Sequence, residues 1–272
     1  VKMGGGGLGD NKTAFGFEEN KQLIYTPYNE EQIKLNSDSN SAIAIGDGAG
    51  GNNGLGIKGN QGAGAVALGP NAGHEDQGAA AISIGWSAGE DGQNTNAVSI
   101  GTLAGKTNQG TNAVSLGKAA GRTSQGTNAV AIGHNAGQTG QGNNAVAIGG
   151  GDDCTGKTDQ GASSVAIGDS AGCTSQGPQS VAIGCLAGNE SQEGTAVAIG
   201  SNAGKDSQGG NSVAIGLGAG QDSQGGNSVA IGEEAGKTSQ GDNSVGIGRQ
   251  AGLTNQGLNA IAIGNTAGQN TQ

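Results

Sequence analysis

The chain has 272 residues, 60 of them glycine, and its 12 Lys/Arg against 22 Asp/Glu give a net charge of −10. One Trp, two Tyr and two Phe with no basic stripe provide neither a stacking platform nor a phosphate-binding surface, which excludes nucleic acid as a partner. No apolar run approaches the ~18 residues of a bilayer span, so no membrane insertion is expected in this segment.

Residues 1–39 differ from the rest of the chain: they hold Phe15, Phe17, Tyr25 and Tyr28 and the most clustered charge, as in YTPYNEEQIKLN. This segment is read as an N-terminal cap over an open edge, or as a connector to a preceding module. From residue 40 to 272 the chain is one repeated phrase. The glycine that closes each apolar stretch falls at 46, 69, 85, 101, 117, 133, 149, 168, 184, 200, 216, 232, 248 and 264, and eleven of the thirteen spacings are 16 residues. The other two, 23 and 19, place inserts near 50–60 and 150–154. A fixed period this short identifies a solenoid in which each repeat is one coil. The expected fold is all-β, a parallel β-roll or β-solenoid of about 14 coils.

Within a coil the phrase alternates, as in Ser228-Val229-Ala230-Ile231-Gly232, which means a short strand. A second phrase, such as Lys237-Thr238-Ser239-Gln240-Gly241, forms a second short strand, and the Gly and Asn between them turn the chain. Val and Ile, the sizeable apolar groups, are expected to point into the coil. The alternate positions are Ala, Ser or Gly in every coil and never charged, as at Ala129/Ala131, Ser164/Ala166 and Ser244/Gly246. A strip kept small and neutral is expected to lie against a neighbouring chain, in an oligomer of cyclic symmetry.

Gln recurs at a fixed place in the coils, including Gln109, Gln125, Gln141, Gln208, Gln224 and Gln240, and stacked amides are expected to bond from coil to coil as a structural ladder. Asn at 96, 112, 128, 144, 211, 227, 243 and 259 reads as a second ladder at a corner. The variable residues sit in turns, and those singled out as candidate surface contacts are Trp86, Leu103, His134, Asp152, Asp153, Glu233, Glu234 and Arg249. Asp152-Asp153 has the chemistry to meet a cation, but the pair is read as a solvated loop. Cys154, Cys173 and Cys185 form no CxxC pair and read as single thiols at tolerant positions, a disulfide being the alternative. His74 and His134 are far apart in sequence, no Ser/His/Asp or Cys/His set assembles, and the GLGAG-like turns recur without a βαβ context. No catalytic residue, cofactor or metal site is therefore expected, and the protein is read as a non-enzyme.

The phrase NSVAIG, present at 211–216 and 227–232 with variants NSAIAIG, NAVAIG and NAIAIG across 40–272, resembles the head repeats of trimeric autotransporter adhesins of the Yersinia adhesin type. It is also similar to repeats of phage and giant-virus fibre-like proteins. The resemblance implies a left-handed β-roll with three chains around one axis. It further implies an extracellular place on a cell or virion surface and a structural or adhesive role toward a host-surface or matrix receptor. The family's coils are usually a little shorter than 16 residues, and the QG phrase is more regular here. Two other readings stay open: a filament subunit stacked end to end, and an ice-binding solenoid suggested by the column Thr107, Thr123, Thr139, Thr158, Thr174, Thr238 and Thr254.

Overall fold

The structure is a computed structural model that describes residues 42–51, 61–150 and 155–271, together with the backbone of Ile24–Tyr25 and Ile33–Leu35. The chain is a parallel β-solenoid with a repeat of about 16 residues, divided into two compact units, Val1–Thr123 and Ser124–Gln272. In the first unit five three-residue strands, Ile43–Ile45, Val66–Leu68, Ile82–Ile84, Val98–Ile100 and Val114–Leu116, pair in parallel and in register. In the second, nine such strands run from Val130–Ile132 to Ile261–Ile263, with Val165 opposite Val181 and Ala166 opposite Ala182. Ile24–Tyr25 pairs antiparallel with Ile33–Leu35, which pairs antiparallel with Ile43–Ile45 and so occupies the edge of that strand. The rest of the N-terminal segment and most of both inserts lie outside the described residues.

The opposite side of each coil is looser. Asp91–Gln93 pairs with Thr107–Gln109, and Asp222–Gln224 with Thr238–Gln240. Elsewhere single bridges suffice, as from Thr139 to Thr158 to Thr174. Two glycine columns make stacking at this spacing feasible. The glycines that close the V-x-I strands, Gly149 excepted, have φ near +125° (Gly101 +128°, Gly168 +124°), a region closed to L side chains, and a Cβ on Gly101 would lie 2.6 Å from the carbonyl oxygen of Gly117. The glycine after each Gln has ordinary dihedrals but no room: a Cβ on Gly126 would lie 2.6 Å from the amide nitrogen of Asn143. Asn fills a left-handed corner position repeatedly (Asn96, φ 58°; Asn227, φ 54°), because its short polar side chain tolerates that conformation better than most.

The two faces of the first strand are the reverse of the sequence expectation. Val and Ile do not point into the coil. Ala131, Ala147, Ala166 and Ala182 at the strand centres are completely buried, as are the alanines of the AG pairs, while the flanking Val and Ile are half-buried to exposed. The small neutral strip is thus the core lining, not the contact surface. Space is the reason. Opposing walls of the coil stand so close that a Cβ on Gly172 would lie 2.6 Å from Gln176 Oε1 and 3.2 Å from the Ala166 methyl. Two β-branched side chains do not fit such an interior; Ala methyls, Ser hydroxyls and one Gln per coil fill it, and Gln is the largest fully buried side chain. The cysteine expectation also needs amending. Cys173 is disulfide-bonded, Cys185 is a free exposed thiol, and Cys154 lies outside the described residues.

Candidate interaction surfaces

The inner surface is occupied by its own chemistry. In the first unit Gln77 Nε2 donates to Gln93 Oε1 at 3.1 Å and Gln93 Nε2 to Gln109 Oε1 at 3.0 Å. In the second, Gln125 donates to Gln141 (3.1 Å), Gln192 to Gln208 (2.9 Å), Gln208 to Gln224 (3.1 Å) and Gln240 to Gln256 (3.2 Å). These Nε2 groups also donate to the carbonyl of a strand Val or Ile, as Gln93 does to Ile82 (3.0 Å), Gln109 to Val98 (3.0 Å) and Gln224 to Val213 (2.9 Å). A buried amide costs free energy unless its polar atoms are paired, and this arrangement pairs most of them while tying consecutive coils together. Gln109, Gln125, Gln141, Gln208, Gln224 and Gln240 are therefore interior groups, out of reach of a ligand.

Turning the strand inside out transfers the aliphatic side chains to the surface. Within the second unit Val and Ile alternate with buried Ala, or Gly at 246, on nine successive parallel strands, so their outward side chains stack into two aliphatic columns about 38 Å long, eight spacings of ~4.8 Å. Exposure rises along them, from half-buried Ile167 to Ile199 and Ile231 at 36% and Ile263 at 65%. No charged or polar residue interrupts either column. A contiguous apolar band of this extent is a candidate interaction surface.

The turns after each closing glycine form the rim of that band. Trp86 is 52% exposed in the first unit, and its carbonyl accepts a 2.9 Å bond from the amide of Leu103, the half-buried residue one coil on. Leu103 holds φ at +59°, a strained value for a branched side chain. In the second unit His134 occupies the equivalent turn, and Leu217, 54% exposed, does the same further along. Glu233 pairs with Arg249 at 3.5 Å. Its neighbour Glu234 accepts hydrogen bonds from Lys237 (2.7 Å) and Gln250 (2.9 Å), which hold its carboxyl below the ordinary carboxylate value and push the Lys237 ammonium up. These polar side chains are thus brought together as one corner network, while Trp86, Leu103 and His134 stand apart from it. Asp152 and Asp153 lie outside the described residues.

A third surface is a shallow groove beside the QG corner of the second unit, lined by Ser207, Ser223, Gly209, Gly226 and Asp242 among others. Gly226 needs neither an unusual φ nor close packing, since an added Cβ would meet only the Gly210 carbonyl oxygen at 3.5 Å. Its amide donates to Asp242 Oδ1 at 2.9 Å, and that of Gly210 to Glu193 Oε2 at 2.8 Å. Among the described residues no three His, Cys, Asp or Glu side chains gather as a metal-binding set, and no helix is long and apolar enough to cross a membrane.

The missed surface, the Val/Ile band, had a signal in the sequence. Ala, Ser or Gly at every alternate position is the mark of a space too narrow for anything larger. No family model, no curated protein and no solved structure matches this chain.

Proposed function

We propose that this chain is a structural and adhesive module of an extracellular surface fibre, in which copies pack through their Val/Ile bands into a homotrimer and present the variable turns outward. The observation that carries this reading is the uninterrupted aliphatic band on the second unit, whose burial against identical bands would remove it from water at about 25 cal/mol per Å². A band confined to one side of each chain suits closed cyclic association, and the resemblance of the NSVAIG phrase to adhesin head repeats supports three copies around one axis. The disulfide at Cys173 fits an oxidising compartment outside the cell. A solenoid whose interior is filled by its own amides leaves the turns as the place for contact with a host-surface or matrix receptor, with Trp86 and Leu217 the large apolar groups offered there.

Mass photometry and sedimentation of the purified chain test the proposal. A trimer at micromolar concentration is expected, and Val197→Asp with Val213→Asp should convert it to monomers that keep their β-structure. A wild-type chain that stays monomeric would remove the assembly, and an open-ended size distribution would favour the filament reading instead.

A further inference from the structure

The aliphatic band carries no axial address. Eight of the nine strands in the second unit are the same V-x-I triplet and only Ile261–Ile263 differs, so a copy sliding along another by one coil keeps almost every apolar contact. Identical repeats specify register weakly unless something beside them breaks the repetition. What breaks it here stands at the two margins of the band.

At the Ile margin the residue after each closing glycine varies, and in one coil of this unit it is Lys or Arg, at Arg249. At the Val margin the residue three places before each strand is charged in one coil, at Asp242, where the coils on either side carry Gly226 and Leu258. Both charges belong to the same coil, at opposite ends of Val245–Ile247. Both are also incompletely used. Arg249 meets Glu233 through Nε at 3.5 Å, with its side chain 56% exposed. Asp242 is exposed, and its Oδ1 accepts the Gly226 amide at 2.9 Å.

We propose that Arg249 of one copy pairs with Asp242 of the next and sets the axial register in which the bands meet, an inference that rests on the association through the Val/Ile band proposed above. Rotation about an axis parallel to the stacking direction brings the Ile margin of each copy to the Val margin of its neighbour. With the coils level, Arg249 then faces Asp242 at every interface. A slip of one coil in one direction sets Glu233 against Asp242, two carboxylates, and leaves Arg249 beside Leu258. A slip in the other leaves both charges unmatched, Arg249 beside Gly226 and Asp242 beside Asn265. Glu193, the next carboxylate at the Val margin, is three coils away, and meeting it would leave three of the nine rungs uncovered. A single exposed ion pair is weak, but a closed trimer makes this one three times.

Sedimentation of the full chain at low salt tests it. Arg249→Gln and Asp242→Asn should each lower the trimer association constant by about tenfold, and together by no more than either alone, because they remove the same pairs. Asp242→Asn keeps a cap for the Gly226 amide, as Asn143 Oδ1 caps the Thr127 amide at 2.9 Å. Either variant should also add species larger than the trimer, since a slip repeated at every interface does not close. Glu233→Gln removes the contact of Arg249 within its own chain and should leave the trimer as strong as the wild type. A wild-type chain that stays monomeric overturns the association itself, and the register with it. A wild-type trimer unmoved by Arg249→Gln or Asp242→Asn, or weakened as much by Glu233→Gln, overturns the pairing alone.

Discussion

The two units place their buried hydroxyl differently. In three consecutive coils of the first unit it stands at the strand centre, at Ser83, Ser99 and Ser115, with Ala two residues before it. In five coils of the second it stands two residues earlier, at Ser164, Ser180, Ser212, Ser228 and Ser244, and the centre is Ala or Gly. The partner changes with the position. Ser83 and Ser99 donate to the Oε1 of Gln93 and Gln109 at 2.7 Å, so each of those oxygens accepts two bonds, one from a hydroxyl and one from the preceding Gln. Ser164, Ser180 and Ser244 donate instead to the turn carbonyls of Gly161, Gly177 and Gly241 at 2.6–2.7 Å. One unit uses its hydroxyl to complete the amide ladder and the other to brace the corner. Among the described residues, the Gln oxygens left unpaired, those of Gln160, Gln176 and Gln240, all belong to the second unit.

The difference predicts unequal costs for the same deletion. Gln109→Leu should destabilise the first unit by about 2–4 kcal/mol, because it leaves the buried Ser99 Oγ without its acceptor and removes the bond from Gln93 Nε2 together with the bonds of Gln109 Nε2 to Val98 and Ser115. Gln240→Leu should cost about 1–2 kcal/mol, since Gln240 Oε1 accepts nothing and only its Nε2 bonds to Val229 and Gln256 are lost. Hydrogen exchange of the most protected amides in each unit gives both numbers, and equal costs would break the comparison. A gain should come from giving the second unit the first unit's hydroxyl. Ala230→Ser supplies a donor to Gln240 Oε1 and should stabilise by about 0.5–1.5 kcal/mol in the same measurement.

The smallest effect sharpens the comparison at the surface. Glu234 has its pKa lowered by hydrogen bonds from Lys237 and Gln250, so its contribution is present above its ordinary value of 4.5 and is lost as pH falls through the lower folded value. Lys237 has its pKa raised by the same bond, so its share is complete below 10.5 and is lost as pH rises through the higher folded value. For so exposed a pair the effect should stay within about 0.2–1 kcal/mol in urea titrations across these ranges, and Glu234→Gln should abolish the acid limb. The interior amides do not titrate, so neither ladder should show this dependence.

Much of this fold was legible from residues alone. The 16-residue ruler, the V-x-I strand, the Asn corners and the buried Gln column all stem from spacing, because parallel coils stack like on like. The orientation of the strand was not legible. The rule that Val and Ile go inside presumes room for them, and the distance between the two walls of a coil is a tertiary quantity that no window of sequence contains. The clue lay at Ala166, Ala182 and Ala198: a surface strip tolerates Lys or Thr somewhere, whereas a lining this narrow never does. The left-handed conformations of Leu103 and Glu234 were equally hidden, since neither residue favours them and only the stacked turns enforce them. Nor did spacing decide between a single thiol and a disulfide at Cys173, which is bonded.

The in-register pairing of identical strands has a consequence for how such a protein changes its length. Val197 opposes Val213 and Val213 opposes Val229, each pair as the next, and the glycine columns repeat with the same step. Excising residues 205–220 would bring together two faces that already fit, and duplicating them would insert a coil that fits both neighbours. Length in this architecture is therefore a counted quantity, adjustable in increments of ~4.8 Å without redesigning any contact.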